Sequence, residues 1–133
     1  MAPIKKDTII EVVDFSLSID HKSILKNINF SIAPNEIVAM VGESGSGKSL
    51  TALSLLGLLP KNKTQIDSGT MLFEETPLLD LTEKEWQQLR GNEISMVFQE
   101  PQSSLNPTMK CGDQVDEIIQ QHFKNCFSTK ERK

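Results

Sequence analysis

Eight consecutive residues, Gly42 to Ser49, read GESGSGKS and satisfy the spacing G-x-x-x-x-G-K-S/T. Each residue type has a chemical reason to stand where it does. Gly42, Gly45 and Gly47 let the backbone curl until successive N–H groups face inward as an anion nest. A helix starting just after them adds the positive end of its dipole. Lys48 is placed to reach the β- and γ-phosphates of a nucleotide, and the Ser49 hydroxyl to ligate Mg²⁺. The candidate cradle thus runs from Gly42 through Glu43, Ser44, Gly45, Ser46, Gly47, Lys48 and Ser49 to Leu50. The plain alternative is a Gly/Ser-rich turn with an incidental lysine, so the flanking elements must decide.

Those elements favour the grip. "IVAMV" (Ile37 to Val41) is apolar without alternation, as expected of a strand covered on both faces. After the glycines, Leu50, Leu53, Leu56 and Gly57 recur at helical spacing until Pro60 and "KNKT" end the run. Upstream, Val13, Phe15, Leu17 and Ile19 alternate with polar residues, which predicts a strand with one buried face. "DHKS" (Asp20 to Ser23) reads as a turn into a second alternating run with Ile28, Phe30 and Ile32 inward, antiparallel to the first. A further turn, "APNE", holds Asn35, which tolerates positive φ. Downstream, "TMLF" (Thr70 to Phe73) predicts a short strand. "LTEKEWQQLRG" predicts a helix capped by Thr82 and Glu85 and stopped by Gly91. "ISMVF" (Ile94 to Phe98) is a second continuous apolar strand. Val115, Ile118, Ile119, His122, Phe123 and Cys126 form an amphipathic helical stripe. The sum is an α/β core carrying an antiparallel β extension.

Composition narrows the setting. The chain has 133 residues, about one domain's worth. Its net charge of -4 and scattered Lys and Arg disfavour nucleic acid as a partner. Cys111 and Cys126 lie far apart, which fits a reducing cytosol better than a disulfide or zinc framework. The start, "MAPIKKDTIIEVVDF", lacks the apolar segment of a signal peptide, and Ala52 to Leu59 is too short to span a bilayer. The expectation is a soluble chain whose membrane role, if any, comes through a partner.

A phosphate loop alone suits kinases, GTPases, motors and transporter ATPases alike. "MVFQEPQSSLNP" (Met96 to Pro107) separates them. It resembles the Q-loop region of ABC transporter ATPases, and its S-L-N-P portion is similar to the ATPases of oligopeptide, dipeptide and nickel importers. "LRGNEISMVFQEP" and the loop variant GESGSGKS resemble the same branch, and the similarity runs from about Ile10 to Gly112. The resemblance implies a P-loop NTPase (RecA-like) core with an N-terminal antiparallel β subdomain. Residues of about 8–98 would form the β part and core, and about 99–133 the Q-loop and the start of a helical subdomain. It implies ATP and Mg²⁺ as cofactors, Gln99 meeting the metal and attacking water beside Lys48, and Glu100 as a loop carboxylate. It also implies transmembrane permease subunits and a second ATPase subunit as partners, at the cytoplasmic face of the cell membrane. Two positions depart from the family pattern. Ile19 stands where an aromatic ring would stack on adenine, with Phe15 the nearest upstream aromatic and read as core. Asn35 stands where glycine is usual.

The family's later motifs, a signature LSGGQ, a Walker B strand ending in Asp-Glu and a switch histidine, do not occur after Gln99. "VDEII" carries Asp116 and Glu117 but at helical spacing, and "LLDL" (Leu78 to Leu81) has too short an apolar lead. His122 reads as a core histidine and His21 as a solvated turn residue. The expectation is the N-terminal part of a longer importer ATPase, without steady hydrolysis by itself. Two other readings stay open: a nucleotide-binding module without turnover, and another P-loop enzyme such as a small-molecule kinase. The latter would need lid arginines, and Arg90 and Arg132 are the only arginines. The transported solute is not legible in these residues.

Overall fold

The computed structural model describes residues 8–99 and 105–122. They divide between Thr82 and Glu83 into two compact units. The first unit is built on a four-stranded sheet of order β2-β1-β3-β4, all neighbours antiparallel. Strand β1 spans Ile10–Ile19, β2 Lys22–Ile32, β3 Thr64–Phe73 and β4 Thr76–Pro77. The expected β1–β2 hairpin is present. Its turn residues Asp20 and His21 both have positive φ (47° and 62°), the conformation of a type I′ turn whose twist suits two antiparallel strands. His21 is exposed, as a turn position should be.

The simple alternation read in the sequence breaks inside both strands. Asp14 and Asn27 adopt φ of 50°, and the register shifts between Val12 and Phe15. Each shift is a β-bulge, so residues three apart come to share a face. Val12, Phe15 and Leu17 are therefore buried together, whereas Val13, expected inside, is 39% exposed. Leu25 joins them from β2, opposite Leu17. Polar side chains hold the bulges in place. The Asp14 N–H donates to Asn29 Oδ1 at 2.9 Å, Asn29 Nδ2 donates to Asp14 Oδ1 at 3.1 Å, and the Asn27 N–H donates to Ser16 Oγ at 3.0 Å. Phe15 is fully buried at their centre. Phe15→Ala is expected to cost about 3–5 kcal/mol of stability, read as a lowered urea midpoint.

The four-residue strand expected at "TMLF" is the end of the ten-residue β3. Its earlier part, "TQIDSG", carries turn-forming residues, yet it completes the sheet on the other side of β1, with Ile19 opposite Thr64. Helix α1 follows the phosphate loop over Lys48–Leu55. A 3₁₀ turn, Leu78–Asp80, holds the "LLDL" segment.

Two expectations are corrected. Ile37 to Val41 is not a strand: Ile37 is 98% and Val41 90% exposed. Ile94 to Phe98 contains only an isolated bridge from Ile94 to Arg90, and Val97 is 88% exposed. An apolar run becomes a buried strand only where neighbouring strands take up its N–H and C=O groups and other layers cover its faces. The sheet among the described residues is wholly antiparallel and supplies neither, so the parallel RecA-like core is not formed there.

In the second unit α2 spans Glu83–Leu89, immediately after Thr82, and Gly91 has the positive φ (80°) of a helix stop, as expected. Trp86 and Leu89 are buried. Arg90 lies over the Trp86 ring, 4.9 Å from its centroid, and bonds Glu83 Oε1 at 2.9 Å. Helix α3 spans Cys111–His122. Its apolar stripe is present but not buried, with Val115 58% and Ile118 55% exposed. His122, read as a core residue, is half-buried beside Gly91, and Phe123 and Cys126 lie outside the described residues. No helix among the described residues is long and apolar enough to cross a membrane.

Candidate functional site

The loop between Val41 and α1 curls as its glycines predict. Gly45 and Gly47 have φ of 80° and 94°, and the Ser46 N–H donates to the Glu43 carbonyl at 3.2 Å. Gly47 is the N-cap of α1, and no side chain caps that end. The first-turn N–H groups of a helix have no intrahelical partner, so those at Lys48, Ser49 and Leu50 face the loop as donors. The neighbours of two loop glycines are side-chain ends, which can turn aside. A Cβ on Gly42 would lie 2.8 Å from Ser46 Oγ, and one on Gly47 2.4 Å from Leu25 Cδ2.

Lys48 folds back over this turn. Its ammonium donates to the carbonyl oxygens of Gly42 at 2.8 Å and Glu43 at 2.6 Å, and to Ser46 Oγ at 3.3 Å. Ser49 is exposed one residue on. Behind the loop, the buried Thr51 sends its hydroxyl to the Gly47 carbonyl at 3.0 Å, and Ser54 bonds Leu50 O at 2.7 Å. These bonds tie the first turns of α1 to the loop. Leu25 was not legible as a support, because only the fold brings it against Gly47. A cleft of about 440 Å³ opens beside the loop, with Asn27, Phe30, Val38, Met40, Lys48 and Thr51 among its walls.

The donor set fits a nucleotide polyphosphate: a curled amide nest, a helix start without a cap, and one ammonium. It also suits Mg²⁺, which is usually bound by one or two protein ligands plus phosphate oxygens, a part open to the exposed Ser49 hydroxyl. No cluster of His, Cys, Asp and Glu among the described residues could hold a metal by itself. The remaining candidates stand elsewhere. Ile19 is half-buried at the end of β1, opposite Lys22 and Thr64, and is not in the cleft wall. Gln99 is exposed and belongs to the second unit, and Glu100 lies outside the described residues. Of "SSLNP", Asn106 is tied to the start of α3. Its N–H donates to Gln114 Oε1 at 2.9 Å, and its Oδ1 accepts from the Thr108 N–H at 3.0 Å.

Comparison with known proteins agrees with the family resemblance. The ABC transporter family model matches residues 25–132. A dipeptide transport ATP-binding protein, DppD of Lactococcus lactis subsp. cremoris, is 50% identical over 100 residues, covering 75% of this chain and 28% of that protein. The oligopeptide transport ATP-binding protein OppD of Bacillus subtilis is 41% identical over 125 residues, or 91% of this chain and 35% of its own length. OppD of Escherichia coli is 42% identical over 110 residues, or 83% and 32%. The chain therefore spans about a third of the length of these relatives. With four-fifths of its residues inside the family model and with relatives of the peptide-transport branch, this chain belongs to the ABC transporter family and to its P-loop NTPase fold.

Proposed function

We propose that this chain is the nucleotide-holding part of an ATP-binding subunit of a peptide importer. The observation that carries the proposal is the Lys48 ammonium, held over the Gly42–Gly47 turn at an uncapped helix start. In that reading the amides from Glu43 to Leu50 hold the phosphates, and Lys48 neutralises β- and γ-oxygens. Ser49 and Gln99 would hold Mg²⁺, with Gln99 also orienting the water, and the bound ion would offset charge developing on the phosphates. The relatives' names support peptide as the transported class. Permease subunits and a second ATPase subunit, at the cytoplasmic face of the membrane, are the partners such a subunit requires. Ile19 offers the base apolar contact without π-stacking.

Turnover needs a general base and a partner's contact on the γ-phosphate, and the 133 residues contain neither a Walker B pair nor a signature loop. The purified chain by itself is therefore expected to bind MgATP without steady hydrolysis. Phosphate release at the rate of an intact transporter ATPase, abolished by Lys48→Ala, would overturn this.

A further inference from the structure

We propose that the Ser46 hydroxyl is a built-in gate on the phosphate cradle: it occupies one of the three donor positions of Lys48 and must leave before a polyphosphate can take that position. The gate rests on the loop being the nucleotide site. An ammonium has three N–H donors and no acceptor. All three are engaged here, by Gly42 O at 2.8 Å, Glu43 O at 2.6 Å and Ser46 Oγ at 3.3 Å. The two short bonds go to main-chain carbonyls, which are part of the loop's own curve and fix the ammonium beside it. The long bond goes to a side chain that can turn away about a single χ angle. It is the bond that costs least to release.

The hydroxyl also fills space. It sits so close to Gly42 that a Cβ there would lie 2.8 Å from Ser46 Oγ and 3.5 Å from Ser46 Cβ. The Ser46 side chain thus packs beside both Gly42 and the Lys48 ammonium. The Ser46 main chain is held separately by its N–H to Glu43 O at 3.2 Å, so the side chain can swing while the nest keeps its shape. A charged phosphate oxygen attracts the ammonium more strongly than a neutral hydroxyl does, because both partners are then ionised. The exchange therefore favours ligand, reduced by what the Ser46 contact contributes to the empty loop.

Ser46→Ala removes the hydroxyl and keeps every loop amide. MgATP is expected to bind this variant about two- to tenfold more tightly than wild type, the equivalent of one net hydrogen bond. Stopped-flow mixing with a fluorescent ATP analogue should place the gain in the association rate. Inorganic pyrophosphate, which has no base, should gain by the same factor. Should Ser46→Ala fail to fold by circular dichroism, Ser46→Gly removes the same hydroxyl and replaces it. Equal or weaker binding by the variant overturns the gate while nucleotide binding stands, since the hydroxyl would then help to hold the ligand. A gain confined to slower dissociation also overturns it. No MgATP binding by wild type removes both the gate and the nucleotide site.

Discussion

Replacing Lys48 by alanine is expected to weaken nucleotide binding by roughly 10- to 100-fold without unfolding the chain. The size follows from the charge-assisted bond that the one releasable donor of the ammonium makes to a phosphate oxygen, about 1.5–3 kcal/mol, with a tenfold change in affinity per about 1.4 kcal/mol. The fold should tolerate the change because the groups Lys48 bonds, Gly42 O, Glu43 O and Ser46 Oγ, all belong to exposed residues. Water can satisfy those oxygens once the ammonium is gone, so no buried acceptor is left orphaned. Calorimetric titration of wild type and Lys48→Ala with MgATP, alongside thermal melts of both, reads the two effects separately. Affinities within threefold of each other, with melts unchanged, would show that the loop is an ordinary turn.

That loop was legible because its determinants are local. Glycine spacing, a lysine and a helix start lie within nine residues, and nothing distant is needed to curl them. The β1–β2 hairpin was legible for the same reason: two alternating runs joined by a short polar turn. The bulges were not. Asp14, Ser16, Asn27 and Asn29 read as the solvent face of two regular strands, yet their hydrogen bonds to one another set the register and put Val12 rather than Val13 inside. That choice belongs to strand pairing, which periodicity does not encode. The converse holds at Ile37 to Val41 and Ile94 to Phe98. Their apolar character predicts burial, but burial is a property of neighbours, and the described residues supply none for these runs. Gln99 differs again. Its role rests on resemblance, and the residues it would work beside, Lys48 and Ser49, belong to the other compact unit, so nothing in its own surroundings identifies it.

A large effect on folding is also expected at Gly69, where no motif points. Its φ is 91°, and a Cβ added there would lie 2.5 Å from three atoms: the carbonyl carbon and oxygen of Asp14 and the Cα of Phe15. All three are main chain, so no rotamer change can move them aside. They belong to the β1 bulge, pinned on one side by Asn29 and on the other by Ser68, whose hydroxyl donates to Asp14 O at 3.0 Å. Gly69→Ala therefore meets both a left-handed backbone, costing about 1–2 kcal/mol, and an overpacked contact, costing about 1–3 kcal/mol. Their sum, roughly 2–5 kcal/mol, is a large share of the roughly 5–15 kcal/mol that holds a typical domain together. Gly45 supplies the control. Its φ of 80° is equally unsuited to alanine, but nothing lies within 4 Å of its Cβ position. Gly45→Ala should show the backbone cost alone, so the difference between the two urea midpoints isolates the close approach of β3 to the bulge. Equal midpoints would mean that β3 can retreat from Asp14. The bulge would then be held by its side-chain hydrogen bonds alone, and Asn29→Ala would become the more damaging change.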